Sequence, residues 1–269
     1  MNTEFAYIYN APLYYEALVI ERELLATSPE PDHGASDFEN LDRAAKSHCI
    51  LEDFSQARNR YRILADRAAL DGFTPLALAA QANEAFVLGL EALASGQRRK
   101  EGLDQAYKLL FHLLEESKSL ELPKLEARVL AKLGLVAGFS GWLSEGEAWL
   151  RQAVQAEKTL QRQAFTAEAR LHLAENLLDQ DRMAEAEMEA RAAHELALDT
   201  GEIGLQSSAA WVRGRVFEGL AHWREAAVSY RECIDLDRRI CRERTLRVNT
   251  DLSPEGFPAS SPLSAEEPA

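Results

Sequence analysis

Apolar residues recur along this chain at intervals of three and four, the period of a helix with one buried face. Read this way, the chain predicts helices at about 12–27, 37–51, 53–70, 75–96, 102–119, 123–139, 143–160, 163–180, 182–199, 203–220 and 223–245. In the first, Leu13, Ala17, Ile20 and Leu24 share a face. The boundaries are punctuated by residues that break or cap helices. Pro12 and Pro123 suit a first turn, Thr74-Pro75 reads as a cap followed by proline, and Ser36 or Asp37 can cap the second helix. Residues 27–34, Asp71-Gly72, Gly96, Gly141 and Gly201 read as interruptions. No stretch is rich enough in Val, Ile and Thr to predict a strand.

A four-residue phrase opens every other helix. It is hydrophobic, any residue, acid or amide, then a small residue: Phe54-Ser55-Gln56-Ala57, Leu103-Asp104-Gln105-Ala106, Leu143-Ser144-Glu145-Gly146, Met183-Ala184-Glu185-Ala186 and Trp223-Arg224-Glu225-Ala226. Tyr14-Tyr15-Glu16-Ala17 reads as a sixth copy. The small residues stand at 17, 57, 106, 146, 186 and 226, so the spacings are 40, 49, 40, 40 and 40. A fixed period of this length signals stacked supersecondary units rather than one closed core. The nine extra residues of the long spacing are expected in the helix at 75–96 and in the loop Gln97-Arg98-Arg99-Lys100-Glu101.

Four and seven residues after each small residue come Tyr61 and Leu64, Leu110 and Leu113, Leu150 and Ala153, Ala190 and Ala193, Tyr230 and Cys233. These lie on one helix face. Twelve residues before it stand Ala45, Ala94, Gly134, Ala174 and Gly214, all small, which predicts a close approach of two paired helices. This pattern resembles the tetratricopeptide repeat (TPR), whose usual period is about 34. The longer period here resembles the extended repeat of bacterial regulators of the MalT type and of peptide-sensing regulators. The likeness spans roughly 37–240 and is tightest at 133–153 and 213–233.

The resemblance implies an all-α fold, a right-handed α-solenoid of stacked antiparallel helix pairs. It divides the chain into an N-terminal segment 1–36 with one helix and a possible partial repeat, a repeat domain 37–247, and a Pro/Ser/Glu-rich tail 248–269 whose composition predicts disorder. Six extra residues per repeat add roughly 9 Å of helix and deepen the groove. In such proteins the first helix of each pair lines the concave surface. Carried over, the lining is Arg128, Ala131, Leu135 and Gly138, then Glu168, Leu171, Glu175 and Leu178, then Ser208, Trp211, Arg215 and Glu218. Among these, Arg128, Leu135, Leu171, Glu175, Leu178, Trp211 and Arg215 are the candidate partner-binding residues, offering an apolar floor, one large aromatic and two guanidinium groups.

Composition narrows the partners. The net charge of −14 disfavours nucleic acid. Apolar runs read as too short and interrupted to span a membrane. The N-terminus carries Glu4 and no basic stretch, so no secretory signal is expected. Three scattered cysteines, Cys49, Cys233 and Cys241, fit reduced thiols in a cytoplasm. The six histidines form no metal-ligand spacing with each other or with cysteine, and phosphate-loop, dinucleotide, zinc-protease and nucleophile-elbow motifs are absent. No metal, cofactor or enzymatic activity is expected. The basic run 238–247 closes the last helix, where cations complement the helix dipole; the alternative is a docking patch for an acidic partner.

The expected function is therefore a protein- or peptide-binding scaffold or adaptor in bacterial regulation or assembly. The alternative is a ligand- or peptide-sensing regulatory protein; neither end of the sequence leaves room for an output domain, so that part is expected on another chain. The aromatic N-terminus (Phe5, Tyr7, Tyr9, Tyr14, Tyr15) is a candidate surface for a homodimer.

Overall fold

The computed structural model describes residues 35–96 and 99–251. Within them lie ten helices and no strand: α1 Ala35–Ile50, α2 Phe54–Leu70, α3 Thr74–Ser95, α4 Arg99–Ser119, α5 Pro123–Phe139, α6 Leu143–Thr159, α7 Gln163–Asp179, α8 Met183–Thr200, α9 Ile203–Gly219 and α10 Trp223–Asp251. Consecutive helices pack along their length and make five antiparallel pairs in an all-α solenoid. Each phrase opens the second helix of a pair, and its small residue is buried in all five. The helix predicted at 12–27, the aromatic N-terminus and residues 252–269 lie outside the described residues. Helix α10 runs through 248–251, past the predicted start of the tail.

Outside the long repeat the turns recur every 20 residues. Glu52, Gly72, Glu121, Gly141, Gln161, Asp181, Gly201 and Ala221 all have positive φ, between 54° and 81°. The residue after most of them donates its N–H to the carbonyl five residues back, as in Trp142 to Ala137 and Arg182 to Leu177. A left-handed residue followed by such a bond closes the end of a helix. The same residue then opens the next helix, so backbone geometry sets most starts. Asp53, which accepts from the Gln56 N–H at 3.3 Å, is a side-chain cap. Thr74 is the first helical residue rather than the cap; Phe73 occupies the cap position.

Within a pair the small residues do what their spacing predicts. A Cβ on Gly134 would stand 2.5 Å from Leu150 Cγ, and one on Gly214 would stand 2.4 Å from the Tyr230 ring. The long repeat corrects one expectation. Ala94 is exposed, and Ala85, eleven residues into α3 as Gly134 is into α5, is buried in its place. The nine extra residues do not enlarge the loop. They lengthen α3 to 22 residues against 17 in α5, and they start α4 four residues ahead of its phrase. The added turns pack on each other where Gly102 faces Ala92.

Helix α3 is long and apolar enough, by length and composition, to cross a membrane, contrary to the expectation that every apolar run is too short. Its apolar residues are buried among neighbouring helices: Ala77, Leu78, Val87 and Leu90 belong to the core. The two carboxylates it carries are matched by partners on α2, with Glu84 and Glu91 paired to Arg62 and Arg58 at 2.9 and 2.7 Å.

Helices α3, α5, α7 and α9, the first members of their pairs, also touch one another in sequence. Closer approach on this side curves the array and puts the first helices on its inner face. On the outer side, side chains bridge second helices: Trp149 Nε1 donates to Tyr107 Oη at 3.1 Å, and Arg151 reaches both Glu147 and Glu185. Arg182 pairs with the same two carboxylates.

Candidate functional site

The repeat places equivalent residues in rows along the inner face. Relative to the helix start, Ala79, Arg128, Glu168 and Ser208 share one position, and Ala82, Ala131, Leu171 and Trp211 the next. Asn83, Lys132, His172 and Val212 follow, then Phe86, Leu135, Glu175 and Arg215. These rows mix charge and apolar surface where the core positions beside them are uniformly apolar.

The inner face is not equally open along its length. Arg128, Ala131, Leu135 and Gly138 on α5 are half-buried, as are Trp211 and Arg215 on α9. On α7 between them, Glu168, Leu171, Glu175 and Leu178 are all buried. Helix α7 lies between α5 and α9 and touches both. Leu171 and Leu178 therefore belong to the core cluster and offer no accessible floor. Leu135 and Trp211 pack against that cluster from its edge, and Trp211 also lies tilted against Tyr230 at 5.2 Å between ring centroids.

Charge is concentrated where burial is deepest. Glu168, His172 and Glu175 lie on one face of α7, and the imidazole nitrogens are 3.9 Å from a carboxylate oxygen on either side. That is ion-pair distance, beyond a hydrogen bond. Burial opposes protonation of His172 most strongly, but the two carboxylates outweigh it and raise its pKa to about 9. The imidazolium is thus the neutral-pH form. Arg215 on α9 donates to Glu175 at 3.3 Å, so one member of the cluster is tied to the next repeat. Asp179, a turn further on, is pushed up by burial, which Arg215 counters.

The open part of the face begins at Arg128. Its guanidinium lies over the Phe165 ring at 5.0 Å, and Arg162 stacks on the same ring at 3.7 Å. Arg128 Nε and Nη2 are buried atoms with no hydrogen-bond partner among the described residues, as are His172 Nδ1 and Glu175 Oε2. Lys132 lies over the Phe86 ring at 5.0 Å. Of the predicted residues, the structure joins Glu175 to Arg215 directly, while Arg128 lies over Phe165. Sequence reasoning passed over His172, Lys132 and Phe165. The spacing Glu168-x-x-x-His172-x-x-Glu175 was the available signal, since those offsets share a helix face. Among the described residues, no group of three or more His, Cys, Asp or Glu is placed to hold a metal ion.

No family model matches the chain, and no curated protein matches it. Solved structures do. BtubC (BKLC) from P. vanneervenii superposes with a TM-score of 0.53 over 100% of both chains at 15% identity. A kinesin-light-chain-type protein of Podosopora anserina, built of nearly identical TPR-like repeats, gives 0.51 at 13% identity and covers 76% of this chain and 97% of its own. At such identities the likeness speaks for the fold alone. The chain is a TPR-like repeat protein, an α-solenoid of paired helices.

Proposed function

We propose that this protein is an interaction scaffold that holds a segment of a partner protein along the inner face of the solenoid. The observation that carries the reading is Arg128 at the open part of this face, whose Nε and Nη2 have no hydrogen-bond partner among the described residues. Buried polar atoms are ordinarily paired, and a bound chain supplies donors, acceptors and carboxylates. On this face Lys132 and His172 are buried and Arg215 is paired with Glu175, which leaves Arg128 as the half-buried cation at its open part. The face suits a segment with an acidic group and small apolar anchors beside Leu135 and Trp211. Affinity comes from desolvating those anchors, with the charges setting specificity. Bacterial regulation or complex assembly is the role that the long-repeat resemblance favours. The buried thiols of Cys49 and Cys233 favour a reducing compartment such as the cytoplasm.

The test uses the full chain against a displayed library of random peptides. Wild type is expected to enrich acid-bearing sequences, and Arg128→Glu with Arg215→Glu to lose them. Enrichment of the same peptides by both proteins overturns the reading. A second reading, a small-ligand sensor whose output lies on another chain, draws on the same unmatched atoms. Thermal shifts with short peptides and with metabolites separate the two, because a bound ligand raises stability by mass action.

A further inference from the structure

The junctions between successive helix pairs are apolar through the middle of the array. Eight residues after the small residue of the phrase, Leu114 of α4 and Val154 of α6 are buried. Ten residues into the following first helix, Leu133 of α5 and Leu173 of α7 are buried too. Helix α3 has Glu84 at that position, matched by Arg62. At the junction of α8 with α9 the two positions hold His194 and Arg213. Both line a cleft of about 130 Å³, together with Glu187, Ala190 and Arg191 of α8 and Val216 and Phe217 of α9. Arg213 donates from Nη1 to His194 Nε2 at 2.9 Å, and Glu232 of α10 lies 3.5 Å from the same nitrogen. A guanidinium only donates, so Nε2 is the unprotonated ring nitrogen and the imidazole is neutral. Burial, aided by Arg213, lowers its pKa accordingly. These contacts hold Arg213 in place across the junction.

The preceding repeat shows what Glu187 lacks. There the equivalent carboxylate, Glu147, is held by Arg151, Arg182 and Gln180. Glu187 keeps Arg191 four residues on, but His222 and Leu220 stand at the places of Arg182 and Gln180. His222 stacks on Phe217 at 6.4 Å between ring centroids. Among the described residues, no ion pair or hydrogen bond engages half-buried Glu187 or exposed Arg191. The cleft therefore offers one charge of each sign beside an apolar wall of Ala190, Val216 and Phe217. A cavity of ~150 Å³ holds benzene, so there is room here for a molecule of about six to eight heavy atoms. We propose that this cleft binds a free α-amino acid with a small aliphatic side chain. Its ammonium takes the place at Glu187 that a guanidinium fills at Glu147, its carboxylate pairs with Arg191, and its side chain lies on Val216 and Phe217. None of the residues assigned to the partner segment takes part, so the two sites stand or fall separately.

Isothermal titration calorimetry of the full chain with L-valine tests this, beside valinamide, which lacks the carboxylate, and isovalerate, which lacks the ammonium. Neither Glu187 nor Arg191 has a partner within the fold, so Glu187→Gln and Arg191→Gln are expected to keep wild-type circular dichroism and melting temperature. Wild type is expected to bind valine with a submillimolar Kd. Each variant is expected to weaken that binding at least tenfold, and each analogue to bind wild type at least tenfold more weakly than valine. The analogue comparison uses wild type alone and holds even where a variant fails to fold. No binding of valine through the millimolar range overturns the proposal. So does valine binding that either folded variant leaves unchanged, or an analogue that binds as tightly as valine.

Discussion

Arg215 on α9 donates from Nη1 to Oε1 of Glu175 on α7 at 3.3 Å, and the two residues occupy the same position in successive repeats, 40 residues apart. The pair turns a sequence period into a bond across the inner face. Through Glu175 it also reaches His172, so the charge state of one buried imidazole bears on how two repeats meet.

Stability is expected to fall with alkaline pH through that imidazole. The pKa of His172 is raised in the folded chain, from an ordinary 6.5 to about 9. The folded state then binds the proton more tightly than the unfolded state. Its contribution is full below pH 6.5 and is lost as pH rises through 9. Urea unfolding between pH 6.5 and 9 is expected to show a declining midpoint that flattens in His172→Gln. An equal slope in both proteins would assign the decline elsewhere. Above pH 9 the buried Cys49 thiol, pushed up to about 12 chiefly by burial, adds a decline of its own.

Two kinds of glycine should respond differently to alanine. A Cβ on Gly146 would meet the Gly134 carbonyl oxygen at 2.9 Å and the Gly138 nitrogen at 3.2 Å, backbone atoms that cannot step aside. Gly146→Ala is expected to cost about 1–3 kcal/mol. Gly141, with φ of +81° and open space around it, should lose only about 1–2 kcal/mol from backbone strain. The converse change at the same turn position, Ala221→Gly, is expected to gain up to about 1 kcal/mol. Denaturant midpoints of the three variants measure the order.

Leu171 should behave as core. At 2% exposure it is packed on the inner side of α7 between two helices. Leu171→Ala is expected to cost about 2–5 kcal/mol of stability. Loss of peptide binding with unchanged stability would instead mark it as accessible floor.

Cys49 should resist thiol reagents in the folded chain. It is 0% exposed, and its thiol is held protonated well above neutral pH. Because the thiolate is the nucleophile, labelling at Cys49 is expected only as the chain unfolds. Rapid labelling at this residue under native conditions, mapped by mass spectrometry, would show an opening of α1.

Most of the architecture was legible from the residues. The phrase positions, the boundaries at Pro123, Gly141 and Gly201, and the small residues Gly134 and Gly214 follow from local chemistry and a fixed period. The long spacing was legible as length but not as placement. Counting back from Ala106 pointed to Ala94, while the register is kept from the start of α3, so Ala85 holds the position. At the inner face, the family resemblance put Arg128, Glu175 and Arg215 on the lining side of their helices. It could not say which of those sides were open.

Sequence by itself determined the helices, their pairing and the order in which they stack, because those follow from neighbouring residues and a short repeat. Only the tertiary structure decided how tightly the array curves. The packing of first helices on one another is a sum of small rotations at every interface, and it sets how deeply Glu168, His172, Leu171 and Glu175 of α7 lie between α5 and α9.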